Sequence, residues 1–182
     1  MTKCVYLESD VTKASAPVLA SAISLYMNWQ GMEQKKFAHT FSGPYKSIML
    51  MLDPNFTSSK MKDEDAPKLG DVIWLRAGGG QMVGFGIVKE KAEDPIHKEA
   101  VEIVFKNYNR KLKEMKLPLI GIDLYGCETG KEWVDIVDTI EDQLTDCQAV
   151  VCIPTNKLLV EVLDELPGEF AATAITADDN EE

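Results

Sequence analysis

The stretch 117–133 constrains the fold of this chain most, because it joins a short apolar run, a glycine-punctuated loop and a helix start. Residues 117–122 are too few for a helix and include two isoleucines, so they predict a buried strand. Thr129 and Glu132 have the spacing of a capping box, and apolar residues follow them at helical intervals. The stretch therefore predicts a strand, a loop and a helix that begins near Gly130.

The loop between this strand and this helix lies where α/β proteins bind ligands. A helix start presents unpaired N–H groups and a partial positive charge, which favour an anion. The sequence thus predicts a site for a phosphate or a developing oxyanion near residues 122–130. A plain connection between strand and helix is the alternative.

Short apolar runs and amphipathic segments alternate along the rest of the chain. Strands are predicted at residues 3–7, 17–23, 47–52, 70–76, 81–89 and 149–153, and helices at 32–41, 96–115 and 157–166. Residues 24–31 are predicted as a loop, and 77–80 as the turn of a hairpin rather than a phosphate cradle. The pattern predicts a three-layer α/β fold with a central mixed sheet flanked by helices on both faces.

The length of 182 residues fits one domain with a self-sufficient core. We predict this domain over residues 1–167, with a long loop at 53–69, and an acidic, disordered tail over 168–182. No apolar run reaches the length of a membrane span, and the N-terminus lacks a signal-peptide profile. We therefore expect a cytoplasmic protein.

The charge and the cysteine pattern narrow the set of partners. Thirty acidic against nineteen basic residues give a net charge of −11, which repels duplex nucleic acid and anionic membranes. The four cysteines lack zinc spacing and the chain has only two histidines, so no metal is predicted. No other cofactor is predicted either, and the thiols are expected to be reduced.

Three patches of the sequence match, in order along the chain, the motifs of one α/β family. Residues 8–13, Glu-Ser-Asp-Val-Thr-Lys, look like a Gly-Asp-Ile-Thr turn after a first strand. Residues 29–37 stand where a first glycine-rich nucleotide loop would lie, although only Gly31 remains of its glycines. Residues 121–128, Gly-Ile-Asp-Leu-Tyr-Gly-Cys-Glu, look like a second phosphate loop of the form Gly-x-Gly-Ile-Tyr-Gly. In these patches the chain resembles a macrodomain, a module known for binding ADP-ribose and, in some members, hydrolysing its derivatives.

The resemblance implies a pocket for an ADP-ribose-type small molecule at the carboxyl ends of the strands. Asp10 would receive the adenine amino group, while Tyr125 and Gly126 would border the distal ribose and the phosphates. The implied ligand-binding residues are Asp10, Ser24, Trp29, Gly31, Ile122, Asp123, Leu124, Tyr125, Gly126 and Cys127. Tyr26, Trp29 and Tyr125 offer rings for stacking, and capping of a turn is the alternative role of Asp10.

Departures from the family pattern change the expected ligand. Asp123 replaces a glycine of the second loop, so an anionic side chain lies where a phosphate would sit. Gln30 and Met32 likewise replace glycines of the first loop. Either the ligand is displaced, or it carries less negative charge there, or nothing binds. We predict binding, or sequestration, of an ADP-ribose-related nucleotide, including a cyclic ADP-ribose-type signal.

Two further functions stay open. Lys89 falls where one glycohydrolase subgroup of macrodomains places an attacking lysine, and Asp123 would assist proton transfer, although Tyr125 occupies the place of that subgroup's carboxylate. The enzyme would be an ADP-ribosyl glycohydrolase or an ADP-ribose 1″-phosphate phosphatase. Cys127 at a helix start is a weaker candidate nucleophile. The other function is a protein-interaction module with a degenerate pocket, whose partner binds the acidic tail or the loop at 53–69.

Overall fold

The computed structural model of the protein describes residues 4–26, 67–76, 78–91, 93–167 and 174–175. Its strands are β1 (Cys4–Glu8), β2 (Val18–Tyr26), β3 (Val72–Arg76), β4 (Met82–Lys91), β5 (Leu119–Ile122), β6 (Gln148–Ile153) and β7 (Ala174–Ile175). Its α-helices are α1 (Lys98–Met115), α2 (Gly130–Gln143) and α3 (Asn156–Glu165). The predicted helix at 32–41, the predicted strand at 47–52 and nearly all of the predicted loop at 53–69 lie outside the described residues.

The seven strands form one mixed sheet in the order β3-β4-β2-β5-β6-β1-β7. Strand β3 runs antiparallel to β4, and all the other neighbouring strands are parallel. Parallel strands need crossover connections, which α1 provides from β4 past β2 to β5 and α2 provides from β5 to its neighbour β6. The carboxyl ends of β1, β2, β4, β5 and β6 therefore lie along one edge of the sheet, which we call the rim.

Both faces of the sheet are apolar, because side chains alternate between the faces along each strand. In β2, Val18, Ala20 and Ala22 belong to the core cluster that includes the helices. Leu19 and Ile23 belong to a second cluster with residues of β3 and β4. Parallel sheets are covered on both faces, so this pattern is that of a three-layer α/β fold.

The three described helices pack side by side on one face of the sheet. Helix α2 begins at Gly130, as the sequence predicts, and Thr129 caps it by accepting from the N–H of Glu132 at 3.2 Å. Helix α1 is buried along the predicted stripe of Ala100, Val104, Tyr108 and Leu112. No helix of the described part of the chain is both long and apolar enough to span a membrane.

One difference from the sequence prediction affects the rim. The sequence predicts a loop from residue 24, but β2 continues to Tyr26 because β4 continues beside it. Ser24 pairs with Lys89 and Tyr26 pairs with Lys91, after a bulge that follows Ile23. A long neighbouring strand prolongs the ladder here, although the local sequence is not strongly strand-forming.

The predicted hairpin and the predicted tail can both be compared with the structure. Strands β3 and β4 form the predicted hairpin, and Gly79 and Gly80 in its turn have φ of +74° and +80°. Within the predicted tail, Ala174–Ile175 forms a two-residue strand opposite Tyr6 and Leu7. The tail therefore adds an edge strand to the sheet at these two residues.

Candidate functional site

The rim brings together the predicted site residues that the structure describes. Asp10 follows β1, and Ser24 and Lys89 lie near the carboxyl ends of β2 and β4. Residues 123–129, here called the β5 loop, connect β5 to α2. Strands β5 and β6 separate β1 from β2, so these two strands lie about 14 Å apart at strand spacings of about 4.8 Å. Trp29 and Gly31 lie outside the described residues.

The carboxylate of Asp123 accepts two hydrogen bonds that fix the β5 loop on the sheet. Its side chain is only 3% exposed. The Ser21 hydroxyl donates to one of its carboxylate oxygens, and the N–H of Tyr125 donates to the other at 2.8 Å. Both oxygens therefore stabilise the loop. The predicted part of Asp123 in proton transfer stays a prediction.

The β5 loop turns at Tyr125 and Gly126, which both have left-handed backbone, with φ of +54° and +81°. The carbonyl of Leu124 accepts from the N–H of Cys127 at 3.0 Å across this turn. Positive φ at both central positions is typical of a type I′ turn. Glycine adopts it readily, whereas a bulky residue such as tyrosine does so rarely.

The side chain of Tyr125 points into the core instead of the rim. It is fully buried, its hydroxyl lies 2.7 Å from that of Tyr108, and its ring packs on Phe105 with centroids 4.9 Å apart. The prediction that this ring stacks on a ligand is therefore wrong. The side chains of Ile122 and Leu124 are also buried, so these residues reach a ligand only through their backbone.

Three N–H groups at or just before the start of α2 donate to side chains of the protein. The N–H of Glu128 donates to Glu132 Oε2 at 2.6 Å, and the N–H of Gly130 donates to Glu161 Oε1 at 3.2 Å. Thr129 accepts from a third N–H through its cap. These three N–H groups therefore already bind acceptors of the protein itself, and the predicted anion site at this helix start stays a prediction.

Two amides remain in the turn of the β5 loop. Among the described residues, none accepts a hydrogen bond from the N–H of Leu124 or of Gly126. These groups flank the N–H of Tyr125, which Asp123 holds. Adjacent N–H groups in a turn of this kind form a concavity that binds anions. The turn is therefore the part of the loop best suited to contact a ligand.

Lys89 and Cys127 both lie at the rim, Lys89 near the end of β4 and Cys127 in the β5 loop. Burial raises the pKa of the Cys127 thiol far above its usual range, and the carboxylates of Glu132 and Asp123 raise it further. The positive charge of Lys89 acts on this pKa in the opposite direction. A thiol with so high a pKa is not a nucleophile at neutral pH, so the interpretation of Cys127 as a nucleophile is disfavoured.

Asp10 caps a short turn at the end of β1. Its Oδ1 accepts from the N–H and the hydroxyl of Thr12, at 3.0 and 2.7 Å, and so begins the 3-10 helix Val11–Lys13. The N–H of Ser9 donates to the carbonyl of Ile153, which ties the turn to β6. The capping role is thus shown, and contact with adenine stays a prediction.

Several residues that hold the site have no signal in the local sequence. Ser21, Tyr108 and Glu161 each bind the β5 loop or the start of α2 from a distant segment. Two glycines in β4, at positions 84 and 86, were the one available hint, since glycine inside a strand marks a close approach. Among the described residues, no group of three His, Cys, Asp or Glu side chains is placed to hold a metal ion.

Solved structures of low sequence identity share this fold. The macrodomain of Thermus aquaticus DarG aligns with a TM-score of 0.67 at 13% identity, over 84% of this chain and 99% of that chain. The macrodomain of Mycobacterium tuberculosis DarG aligns with a TM-score of 0.66 at 11% identity, over 86% and 100%. The Oceanobacillus iheyensis macrodomain with ADP aligns with a TM-score of 0.63 at 17% identity, over 87% of each chain. The sequence itself matches no protein-family model and no curated protein.

These alignments define the class of protein: a three-layer α/β domain whose parallel strands end at one rim. Within that class, the chain has the macrodomain fold, in a form whose sequence has diverged widely. The predicted fold class and the predicted resemblance are both confirmed at this level.

Proposed function

We propose that the protein binds an ADP-ribose-related nucleotide along the rim, between the turn at Asp10 and the β5 loop. The macrodomain fold supports this proposal, and one structure that shares the fold was determined with ADP. The observation that carries it is the left-handed turn at Tyr125 and Gly126, which leaves the N–H groups of Leu124 and Gly126 for an anionic or polar ligand group.

The proposal gives the two ends of the rim different tasks. Asp10 would accept from the adenine amino group while it continues to cap its turn. The β5 loop would contact the distal ribose and one phosphate through its backbone, with Ser24 and Gly126 beside it. The net charge of −11 would repel a polyanion, so binding would depend on these local donors.

The finer proposal concerns the kind of nucleotide. The buried carboxylate of Asp123 and the occupied donors at the start of α2 leave little to stabilise a fully charged terminal phosphate. They favour a ligand whose phosphates are linked at both ends, as in ADP-ribose and in a cyclic ADP-ribose-type signal, over one that ends in a free phosphate, such as ADP. Sequestration of such a signal would follow from tight binding without turnover.

Calorimetric titration tests the proposal. ADP-ribose, ADP and cyclic ADP-ribose are titrated into the protein, into Asp10→Ser and into Asp146→Ser. Serine caps a turn about as well as aspartate, so Asp10→Ser should keep its stability and lose about tenfold or more in affinity for adenine nucleotides. Asp146, whose carboxylate accepts from Thr145 Oγ at the opposite edge of the sheet, is the matched control and should change little. Absence of heat with all three nucleotides at millimolar concentration would contradict the proposal.

A second candidate function is hydrolysis of an ADP-ribose derivative. The observation that favours it is the position of Lys89, half-buried near the end of β4 at the rim, where Ser24 of β2 is its partner in the sheet. Lys91 is exposed at the end of the same strand and gives a matched control. If the protein is such an enzyme, Lys89→Ala should abolish release of ADP-ribose from an ADP-ribosylated substrate, and Lys91→Ala should not. Equal rates in both variants and the parent protein would exclude this chemistry.

A further inference from the structure

We propose that Tyr125 is a positioning residue, which holds the β5 loop in its binding conformation from inside the core without touching the ligand. The inference rests on the proposed function, because the loop's N–H groups are taken as ligand donors. It assigns to this tyrosine a task opposite to the one expected from the sequence, which predicts contact with the ligand through its ring.

The left-handed backbone conformation of Tyr125 requires stabilisation by contacts outside the loop. Its φ of +54° is left-handed, a conformation that residues with a side chain rarely adopt and that bulky residues adopt least. The next residue, Gly126, takes its φ of +81° without strain. Local preference would therefore move residue 125 out of this conformation, and with it the neighbouring N–H groups.

A chain of two hydrogen bonds fixes the side chain of Tyr125 in the core. The Tyr108 hydroxyl donates to the carbonyl of Gly84 at 2.9 Å. Because this uses its one proton, the Tyr125 hydroxyl is the donor in the 2.7 Å contact between the two tyrosines. Burial raises the pKa of Tyr125, so this hydroxyl keeps its proton at any physiological pH.

Strand β4 is shaped to receive the tyrosine. A Cβ at Gly86 would collide with the Tyr125 hydroxyl and with Val104, and a Cβ at Gly84 would lie 2.8 Å from the Tyr108 ring. The two glycines thus leave a slot between β4 and α1. Phe105 closes the slot with an edge-to-face contact to the Tyr125 ring. The fit fixes where the ring lies.

Residue 125 is therefore held at both ends. Its side chain is fixed in the slot, and its N–H is fixed by the buried carboxylate of Asp123 at 2.8 Å. With the residue held on either side of its Cα, the turn that carries the N–H groups of Leu124 and Gly126 keeps its conformation. Tyr125 thus acts on a ligand through the backbone of its neighbours.

The test compares the removal of single buried hydroxyls. Tyr125→Phe keeps the ring and deletes the donor, and Tyr108→Phe deletes its acceptor. Tyr6→Phe is the matched control, since its buried hydroxyl accepts from Trp133 Nε1 at 2.9 Å under α2, away from the slot. The dissociation constant for ADP-ribose is measured by calorimetry well below the melting temperature of each variant. Amide chemical shifts and hydrogen exchange are measured in the absence of ligand.

We expect Tyr125→Phe and Tyr108→Phe to weaken binding about five- to tenfold, and Tyr6→Phe to change it less than twofold although it also lowers the melting temperature. The ligand-free Leu124 and Gly126 amides should shift and exchange faster in the first two variants only. Equal losses of affinity in all three variants, or unaltered amides in Tyr125→Phe, would overturn the proposal. If the parent protein binds no nucleotide, the proposed function fails, and the amide measurements still decide the positioning role.

Discussion

Asp123 affects both the conformation and the charge of the β5 loop at the rim. It is a buried carboxylate in the loop that carries the N–H groups of Leu124 and Gly126, and both of its oxygens accept hydrogen bonds that stabilise this loop. A buried charge that accepts from a backbone N–H and a hydroxyl stabilises structure. The same charge opposes a phosphate that approaches from the rim.

Asp123→Asn separates these two effects. The asparagine carbonyl can still accept from the N–H of Tyr125, and its amide can donate to the Ser21 hydroxyl, so the loop should persist. Two like charges about 4 Å apart repel by at least about 1 kcal/mol. Calorimetry should therefore show an affinity for ADP-ribose about fivefold higher or more, with little change in melting temperature. A lower affinity would mean that the ligand needs the carboxylate, as a catalytic or direct binding role requires.

At the scale of elements, the contact between α2 and α3 sets the position of the β5 loop. Helix α2 begins at Gly130, where a Cβ would lie 2.8 Å from the backbone carbonyl oxygen of Glu161 in α3. The side chain of Glu161 also accepts from the N–H of Gly130. The glycine therefore permits the close approach that ties the end of the loop to α3.

Gly130→Ala should destabilise the protein, even though alanine has the higher helix propensity by about 1 kcal/mol. The atom that the new methyl group meets belongs to backbone, which moves less easily than a side chain, and overpacking of this kind costs about 1–3 kcal/mol. Urea denaturation measures the free energy of unfolding. Lys131→Ala, at the exposed next position, is the control and should stay within about 0.5 kcal/mol of the parent. Equal stability of Gly130→Ala and the parent would contradict the tight contact.

Local patterns predicted the elements well, and long-range contacts explain what they missed. The cap at Thr129, the start of α2 and the hairpin of β3 and β4 follow from residues close in sequence. The occupied donors at Gly130 depend on Glu161, which lies 31 residues further along the chain. The burial of Tyr125 likewise depends on a slot in β4, which no local periodicity reveals.

At the scale of the whole molecule, the core holds several acidic hydroxyls and thiols in their neutral form. Burial raises the pKa of Tyr6 and of Tyr108, and it raises the pKa of Cys147 from 9.0 to about 11. Cys4 is shifted in the same direction by burial and by Glu141. In the unfolded chain these groups would ionise at their ordinary pKa values, so the folded state binds more protons at alkaline pH.

The free energy of unfolding should therefore fall as the pH becomes alkaline. The stability due to these groups is fully present below pH about 9, the ordinary value for a thiol, and is lost as the pH rises toward about 11 and beyond. Each group lowers the free energy of unfolding by up to about 1.4 kcal/mol per pH unit over this range. Urea denaturation from pH 7 to pH 11 should show a flat region followed by a steep fall. Constant stability over the whole range would contradict the burial of these groups.

The central claim is that the rim binds an ADP-ribose-related nucleotide through the β5 loop. Titration of ¹⁵N-labelled protein with ADP-ribose, followed by amide chemical shifts, tests it most directly. The account predicts saturable shifts at Leu124 and Gly126 and around Asp10, with the N–H of Gly130 changing little because Glu161 holds it. Shifts confined to other parts of the chain, or no shift at millimolar nucleotide, would contradict it.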